Sequence, residues 1–205
     1  MITIVTETNR ARLADALDEM HRQRKAVFVD RMNWRLDVKA GREIDAYDRR
    51  DTVYLLSMKG DTLLSSVRLL PTTRAHLMSD LFPRLCPGGV PRGPAIREAS
   101  RFCVSPVLKK RAARREQLWQ IIAGILETGL RFGIEQVSFV AGSALLPLAL
   151  EAGWQARTLG PAIPDGSDRV TAVAAEITAG GLDAVRRRHD IVGPVIRATS
   201  RHAAA

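Results

Sequence analysis

Apolar side chains recur every three or four residues between Asn9 and Val29, at Leu13, Leu17, Met20, Val27 and Phe28, the spacing that lines one face of a helix. Arg24 falls on that face, so the helix carries a guanidinium toward the interior. Ahead of it, the short apolar run in MITIVTETNR reads as a strand. Behind it, residues 30–48 lose any period, with Trp34 and Leu36 standing among charges, and the stretch reads as a long functional loop. β-favouring residues then flank Gly60-Asp61, which predicts antiparallel strands over 52–58 and 62–71 with Arg68 inside the second.

The pattern continues with a short helix over 76–85, the surface connection CPGGVPRGP, and a strand over 96–104 that stops at Ser105-Pro106. Leu118, Ile121, Ile122, Ile125, Leu126 and Leu130 define the apolar face of a helix over 112–132. A strand over 136–142, a helix over 145–152 ending at Gly153, strands over 154–159 and 170–177 and a helix over 182–188 follow, and the tail from 198 reads as disordered. This order describes an α/β protein, an α/β/α sandwich whose mixed, mostly antiparallel central sheet carries helices on its faces. With no internal repeat, residues 1–205 read as a single domain.

Composition narrows the partners. The chain has 205 residues, 46% of them hydrophobic, ample for a packed core. Its first apolar run is too short for a signal peptide, and no run approaches the roughly 18 to 20 residues of a membrane span, so a soluble, cytoplasmic protein is expected. Cys86 and Cys103 lack metal-ligand spacing and read as two buried or idle thiols. A net charge of +9 asks for an anionic partner, whether nucleic acid, membrane surface, phosphorylated cofactor or acidic protein. With aromatics at 5% and no nucleic-acid fold motif, a basic nucleic-acid-binding protein is the weaker reading.

Four polar groups stand out of place: Arg24 on an apolar face, the acids Glu43, Asp45 and Asp48 ahead of a strand, Arg68 within a strand, and Glu98 with Arg101. Arginines can hold a carboxylate by paired hydrogen bonds while acids hold an ammonium, so the mixture suits a zwitterionic, cationic small molecule. Phe28 and Trp34 would offer ring faces to its positive centre. Three carboxylates also suit a divalent cation, but the calcium-loop pattern is missing and no metal site is expected.

The segments RKAVF (24–28), Trp34, EIDAYD (43–48), DTVYLL, RLLPTT (68–73), LFP (81–83) and REASRF (97–102) run in one order over roughly residues 20–105, and LEAGW (150–154) follows. In that order the sequence resembles the acyl-homoserine lactone synthases, the autoinducer synthases of bacterial quorum sensing. The resemblance implies an N-acetyltransferase-like fold, S-adenosylmethionine as amine substrate, an acyl-carrier thioester as donor, and no cofactor. It implies that Asp45 and Asp48 hold the substrate's amino-acid end and that Arg24 and Arg101 orient carboxylate and acid partners. Phe28, Trp34 and Phe102 line the pocket near the sulfonium, and the long loop becomes a lid. Amine attack on a thioester needs a base, for which Glu98 is the candidate, with Arg68 pairing to keep it ionised. An acetyl-CoA-dependent N-acetyltransferase acting on another amine is the rival reading on the same fold.

The run LKKRAARR places Lys109, Lys110, Arg111, Arg114 and Arg115 where either an acidic acyl carrier protein or the phosphates of coenzyme A would dock. Lacking the glycine-rich pyrophosphate loop common in N-acetyltransferases, it leans toward the carrier protein. The acyl pocket is expected near Val137, Phe139, Ala141, Gly142, Ser143, Leu146 and Leu150. Family members that prefer 3-oxo chains commonly carry a threonine where Gly142 stands, which implies an acyl group without that substituent, and the small residues from Ala141 to Ala144 leave room for a long or bulky one. Oligomeric state stays open between a monomer and a weak dimer.

Overall fold

The computed structural model describes residues 1–197, so the expected tail lies outside the described residues. Strand β1 (Ile2–Val5) is followed by a 3₁₀ turn at Ala11–Leu13 and helix α1 (Ala14–Arg24), which runs into a π-helical turn at Lys25–Arg31. A small hairpin of β2 (Val38–Lys39) and β3 (Arg42–Glu43) lies within the loop. Next come β4 (Val53–Lys59), β5 (Thr62–Pro71), α2 (Leu77–Leu81), a 3₁₀ turn at Pro83–Leu85 and β6 (Ile96–Val104). The rest is α3 (Arg111–Phe132), β7 (Gln136–Gly142), α4 (Leu146–Leu150), β8 (Ala156–Thr158), β9 (Ile163–Asp165), β10 (Asp168–Glu176) and α5 (Ala179–Arg188).

Eight strands form one sheet in the order β1-β4-β5-β6-β7-β10-β8, with β9 added to β10. Every pairing is antiparallel except β6 with β7. Alternation along the strands sorts the side chains: Leu55, Val67, Leu69, Val137 and Phe139 pack beneath α3 and α5, while Tyr54 and Leu56 meet Leu17 and Met20 of α1 on the opposite face. The helix-bearing faces make the sandwich that the periodicity predicts.

Helix α3 fits tightly because Gly124 brings it onto β1: a β-carbon there would stand 2.4 Å from Ile2 Cδ1. It ends at Gly133, whose φ of 67° and amide bond back to Gly129 stop the helix. Leu130, expected on the buried face, is exposed instead, since that face turns out of the core in the last turn.

Three boundaries differ from expectation. The first helix does not continue as α: Met32 donates to Val27 O across five residues, a wider π turn in which Val27 and Phe28 are both buried. The helix expected over 76–85 breaks after Leu81 because Pro83 cannot supply an intrahelical donor. In the loop, Ala40 and Gly41 both take positive φ and close a two-residue hairpin.

Candidate active site

One extra residue in β6 builds the site. Ser66 pairs with Cys103 and Arg68 with Ser100, so Arg101 and Phe102 together oppose the single residue Val67. Arg101 adopts a φ of 54°, the left-handed conformation of the first residue in such a bulge. A non-glycine residue there costs about 1–2 kcal/mol. In return the alternation reverses, so Glu98 and Arg101, three apart and opposite in a regular strand, reach the same face. Cys103 joins them against Val27, Phe28 and Leu36, while Phe102 is carried to the α3 side.

On the α1 face three arginines meet three carboxylates. Arg24, wholly buried, donates from Nε to Glu43 Oε2 at 2.5 Å and forks Nη1 and Nη2 onto Asp48 at 2.8 and 2.9 Å. Arg68 forks onto Asp45 at 2.5 and 3.1 Å, stands 3.1 Å from Asp48 Oδ1, and donates from Nε to Ser100 Oγ at 3.0 Å. Arg101 Nη2 spans Glu43 Oε1 at 3.0 Å and Asp45 Oδ2 at 2.9 Å. The Tyr54 hydroxyl donates to Asp48 Oδ1 at 2.8 Å, from the row in which Tyr54, Arg68 and Ser100 are cross-strand neighbours. Burial would raise the Asp48 carboxyl, but the Arg24 hydrogen bonds and the charges of Arg24 and Arg68 outweigh it and hold it far below the carboxylate range.

Exposure divides this ring into scaffold and contact. The Glu43 and Asp48 side chains are 1% and 2% exposed and that of Arg24 is sealed, whereas Asp45 is 18% and Arg101 8% exposed. Asp45 and Arg101 are therefore the ring members that a ligand's ammonium and carboxylate can reach. Arg24 and Asp48, expected to touch substrate, instead hold the other charges in place, because every guanidinium nitrogen of Arg24 already faces an acid. Each of the three acids accepts from guanidinium groups. Phe28 and Trp34 do come together: their rings stack 5.0 Å apart at 13°, with the Arg101 guanidinium 5.8 Å from the Phe28 centroid. Trp34, in the long loop, is 43% exposed and covers the buried Phe28.

Glu98 lies on the same face as the ring, with a different partner from the one expected. Arg68, expected to pair with it, gives both its terminal nitrogens to the aspartates and acts on Glu98 only by charge. The Glu98 carboxylate instead accepts the Met78 amide on α2, 3.1 Å from both oxygens. Burial pushes its carboxyl up to about 7, against the opposing pull of the Met78 amide and the Arg68 charge. This role for α2 was not legible in a stretch that carries no distinctive side chain at Met78.

Glu98 is also where the sheet opens. The parallel pairing of β6 with β7 runs from Ile96↔Gln136 to Glu98↔Ser138 and stops, and the strands diverge beyond it. At that end lies a cavity of about 440 Å³ lined by Phe102, Val104, Leu118, Ala144, Leu145 and Leu148, with Lys109, Arg111, Arg114 and Arg115 at its rim. Four of the five basic residues expected at a carrier site are thus gathered on one opening; Lys110 only precedes α3. Phe102 belongs here and not to the charged ring. Val137, Phe139 and Ala141 are sealed in the core, Leu146 is packed against it, and Ser143 and Leu150 are exposed; the cavity is lined from this segment by Ala144, Leu145 and Leu148 instead. At Gly142 a β-carbon would meet Asp168 Oδ2 at 2.3 Å, so a threonine has no room there while Asp168 keeps its place. Both cysteines are buried, with thiols raised first by burial. Among the described residues no helix is long and apolar enough to cross a membrane.

A mixed sheet whose two parallel strands part is the N-acetyltransferase-like fold: a protein described as an N-acetyltransferase from Lactobacillus plantarum superposes with a TM-score of 0.56 at 13% identity, covering 86% of this chain and 99% of that one. The chain belongs to the autoinducer synthase family, whose profile matches residues 8–184. It is 36% identical over 196 residues to the isovaleryl-homoserine lactone synthase of Bradyrhizobium diazoefficiens, covering 94% of this chain and 86% of that protein. Among solved structures, the CoA-dependent acyl-homoserine lactone synthase BjaI, with SAM and isopentyl-CoA, superposes with a TM-score of 0.88 at 32% identity over 96% of this chain and 92% of that one.

Proposed function

We propose that the chain acylates the α-amino group of S-adenosylmethionine with an acyl group delivered on coenzyme A, then closes an N-acyl-homoserine lactone with release of methylthioadenosine. The observation that carries this reading is the position of Glu98, where β6 and β7 part, with the charged ring on its own face and the basic-rimmed cavity beyond the divergence. Asp45 and Arg101 receive the amino-acid end and Phe28 with Trp34 face the sulfonium. Both substrates are cytoplasmic metabolites, and the reaction belongs there.

An α-ammonium titrates near roughly 8. Against an ordinary glutamate at 4.5, moving its proton costs on the order of 5 kcal/mol; against Glu98 at about 7 it costs about 1.4 kcal/mol. Burial of the base removes most of the penalty. The freed amine attacks the thioester carbonyl, the tetrahedral oxyanion collapses with cleavage of the C–S bond, and the proton that the acylated nitrogen gives up goes to the leaving thiolate, so coenzyme A departs as the thiol. The substrate carboxylate then displaces the sulfonium sulfur from its own γ-carbon, and a neutral lactone and a neutral thioether result. Enforced proximity favours this five-membered closure. Both steps are nucleophilic displacements, so neither asks for a metal or a redox group.

Coenzyme A is preferred to a carrier protein because the four cations converge on one cavity, suiting a compact polyphosphate, and because the likeness to BjaI is close over nearly the full chain. The lean toward a carrier protein taken from the missing glycine-rich loop is set aside on those grounds. The expected room for a long or bulky acyl group is narrowed to a short or branched one, without a 3-oxo substituent, on the likeness to the isovaleryl-homoserine lactone synthase and to BjaI with isopentyl-CoA. Purified protein with S-adenosylmethionine and matched acyl-CoA and acyl-carrier donors should release methylthioadenosine and form lactone fastest with short or branched acyl-CoA. Faster turnover on carrier-bound or 3-oxo donors would overturn the donor assignment, and no methylthioadenosine with any donor would overturn the reaction.

A further inference from the structure

Two halves of the site must keep register: the loop that meets the ammonium and the short helix that holds the base. The Tyr47 amide donates to Asp45 Oδ1 at 2.8 Å, and its ring lies 5.7 Å from the Arg68 guanidinium. Its hydroxyl reaches across to α2 and donates to Asp80 Oδ2 at 3.0 Å, while Asp80 Oδ1 takes the Ser79 hydroxyl at 2.7 Å. Two residues before Asp80, the Met78 amide grips Glu98. A path of hydrogen bonds thus runs from the partly exposed ring carboxylate Asp45 through Tyr47 and Asp80 to the helix that holds Glu98. We propose that Tyr47 and Asp80 are positioning residues, a latch that sets the distance between the ammonium site at Asp45 and the base Glu98. This rests on the reaction proposed above.

The latch is distinct from what keeps the loop folded. Arg49 Nη1 donates to the Ala75 carbonyl at 2.9 Å, and Thr52 Oγ1 donates to the Tyr47 carbonyl at 2.7 Å, so the backbone at Tyr47 and ahead of α2 stays tied when the phenol is removed. What the hydroxyl adds is register between two reacting groups, and a misplacement near 1 Å can cost on the order of 100-fold in rate. The groups facing Glu98 are the Arg68 charge from β5, Asp80 and the Leu77 and Met78 amides from α2, the buried Cys86 thiol, and Tyr47 from the loop. Asp80 is the acid among them that the latch holds near the base, and its charge raises the Glu98 carboxyl further.

Tyr47→Phe, Asp80→Asn and the double variant, each checked for a wild-type thermal melt, test this in steady-state kinetics with the donor that wild type uses. Each single change should lower kcat about tenfold with both KM values held within about twofold, and the double variant should be no worse than the poorer single, since both break one contact. Asp80→Asn should also move the acid limb of the pH–rate profile to lower pH, because removing a negative charge favours ionised Glu98. Wild-type kcat in Tyr47→Phe, additive losses, or a rise in KM at constant kcat would overturn the latch. If Tyr47→Phe does not fold, Asp80→Asn, changed at an exposed position, carries the same test. An activity-free reading comes from Cys86, whose sulfur rests 3.7 Å from Met78 Sδ on α2. In a Cys103→Ser background its alkylation should quicken in both variants, and an unchanged rate would sink the latch. A wild-type protein that makes no lactone would count against the reaction itself, while the thiol rate still judged the latch.

Discussion

Glu98 shows how one side chain trades stability for chemistry. A carboxyl raised from 4.5 to about 7 by burial favours the folded state fully below 4.5, and that contribution is lost as pH rises through 7. At pH 8 the buried charge therefore costs on the order of 3 kcal/mol. Glu98→Gln, which does not titrate, should gain stability over wild type as pH rises from 4.5 to 8 while kcat falls by about 100-fold or more. Urea denaturation across that range, beside turnover, checks both halves; a variant equally stable at both ends would deny the perturbed carboxyl. That Glu98 was special could be read from an acid inside an apolar strand. Its partner could not, because a backbone amide has no signature in sequence.

The bulge in β6 and the close seat of α3 are decided between elements. Gly124 has no room for a β-carbon because Ile2 Cδ1 occupies it, with Ile2 Cγ1 and Cγ2 at 3.7 and 3.8 Å. Gly124→Ala should lower stability by about 1–2 kcal/mol through overpacking, despite a propensity gain of about 1 kcal/mol. Ile2→Val removes the offending methyl and, by itself, should cost about 1 kcal/mol. The double variant should be more stable than the sum of the two singles, and strict additivity in urea melts would disprove this contact. Periodicity located α3 within one residue of its start and β6 at its observed ends. It did not reveal the two-for-one count at Arg101–Phe102, since a bulge is defined against the partner strand and not within its own.

Across the molecule, charge is unevenly spent. The ring on the α1 face cancels itself, three cations against three acids, so the surplus of +9 is free to act elsewhere, and four of its cations meet on the cavity beside α3. Arg114→Glu with Arg115→Glu should raise the KM for acyl-CoA at least about tenfold and leave the KM for S-adenosylmethionine within about twofold. The wild-type KM for acyl-CoA should rise with salt and that of the variant should not. Equal changes for both substrates would place the rim outside the donor site.

Local periodicity and residue chemistry, both written along the chain, set the order of strands and helices and mark Arg24, the three acids, Arg68, Glu98 and Arg101 as polar groups out of place. Partner choice among them is another matter, because the contacts join residues 19 to 58 apart, as in Arg24 with Glu43 and Arg101 with Glu43. Sheet register governs those distances, and a one-residue bulge reverses which side chains share a face. Folding therefore gave Arg68 to Asp45 instead of Glu98, moved Phe102 from the charged ring to the cavity beside α3, and set a helix amide on Glu98.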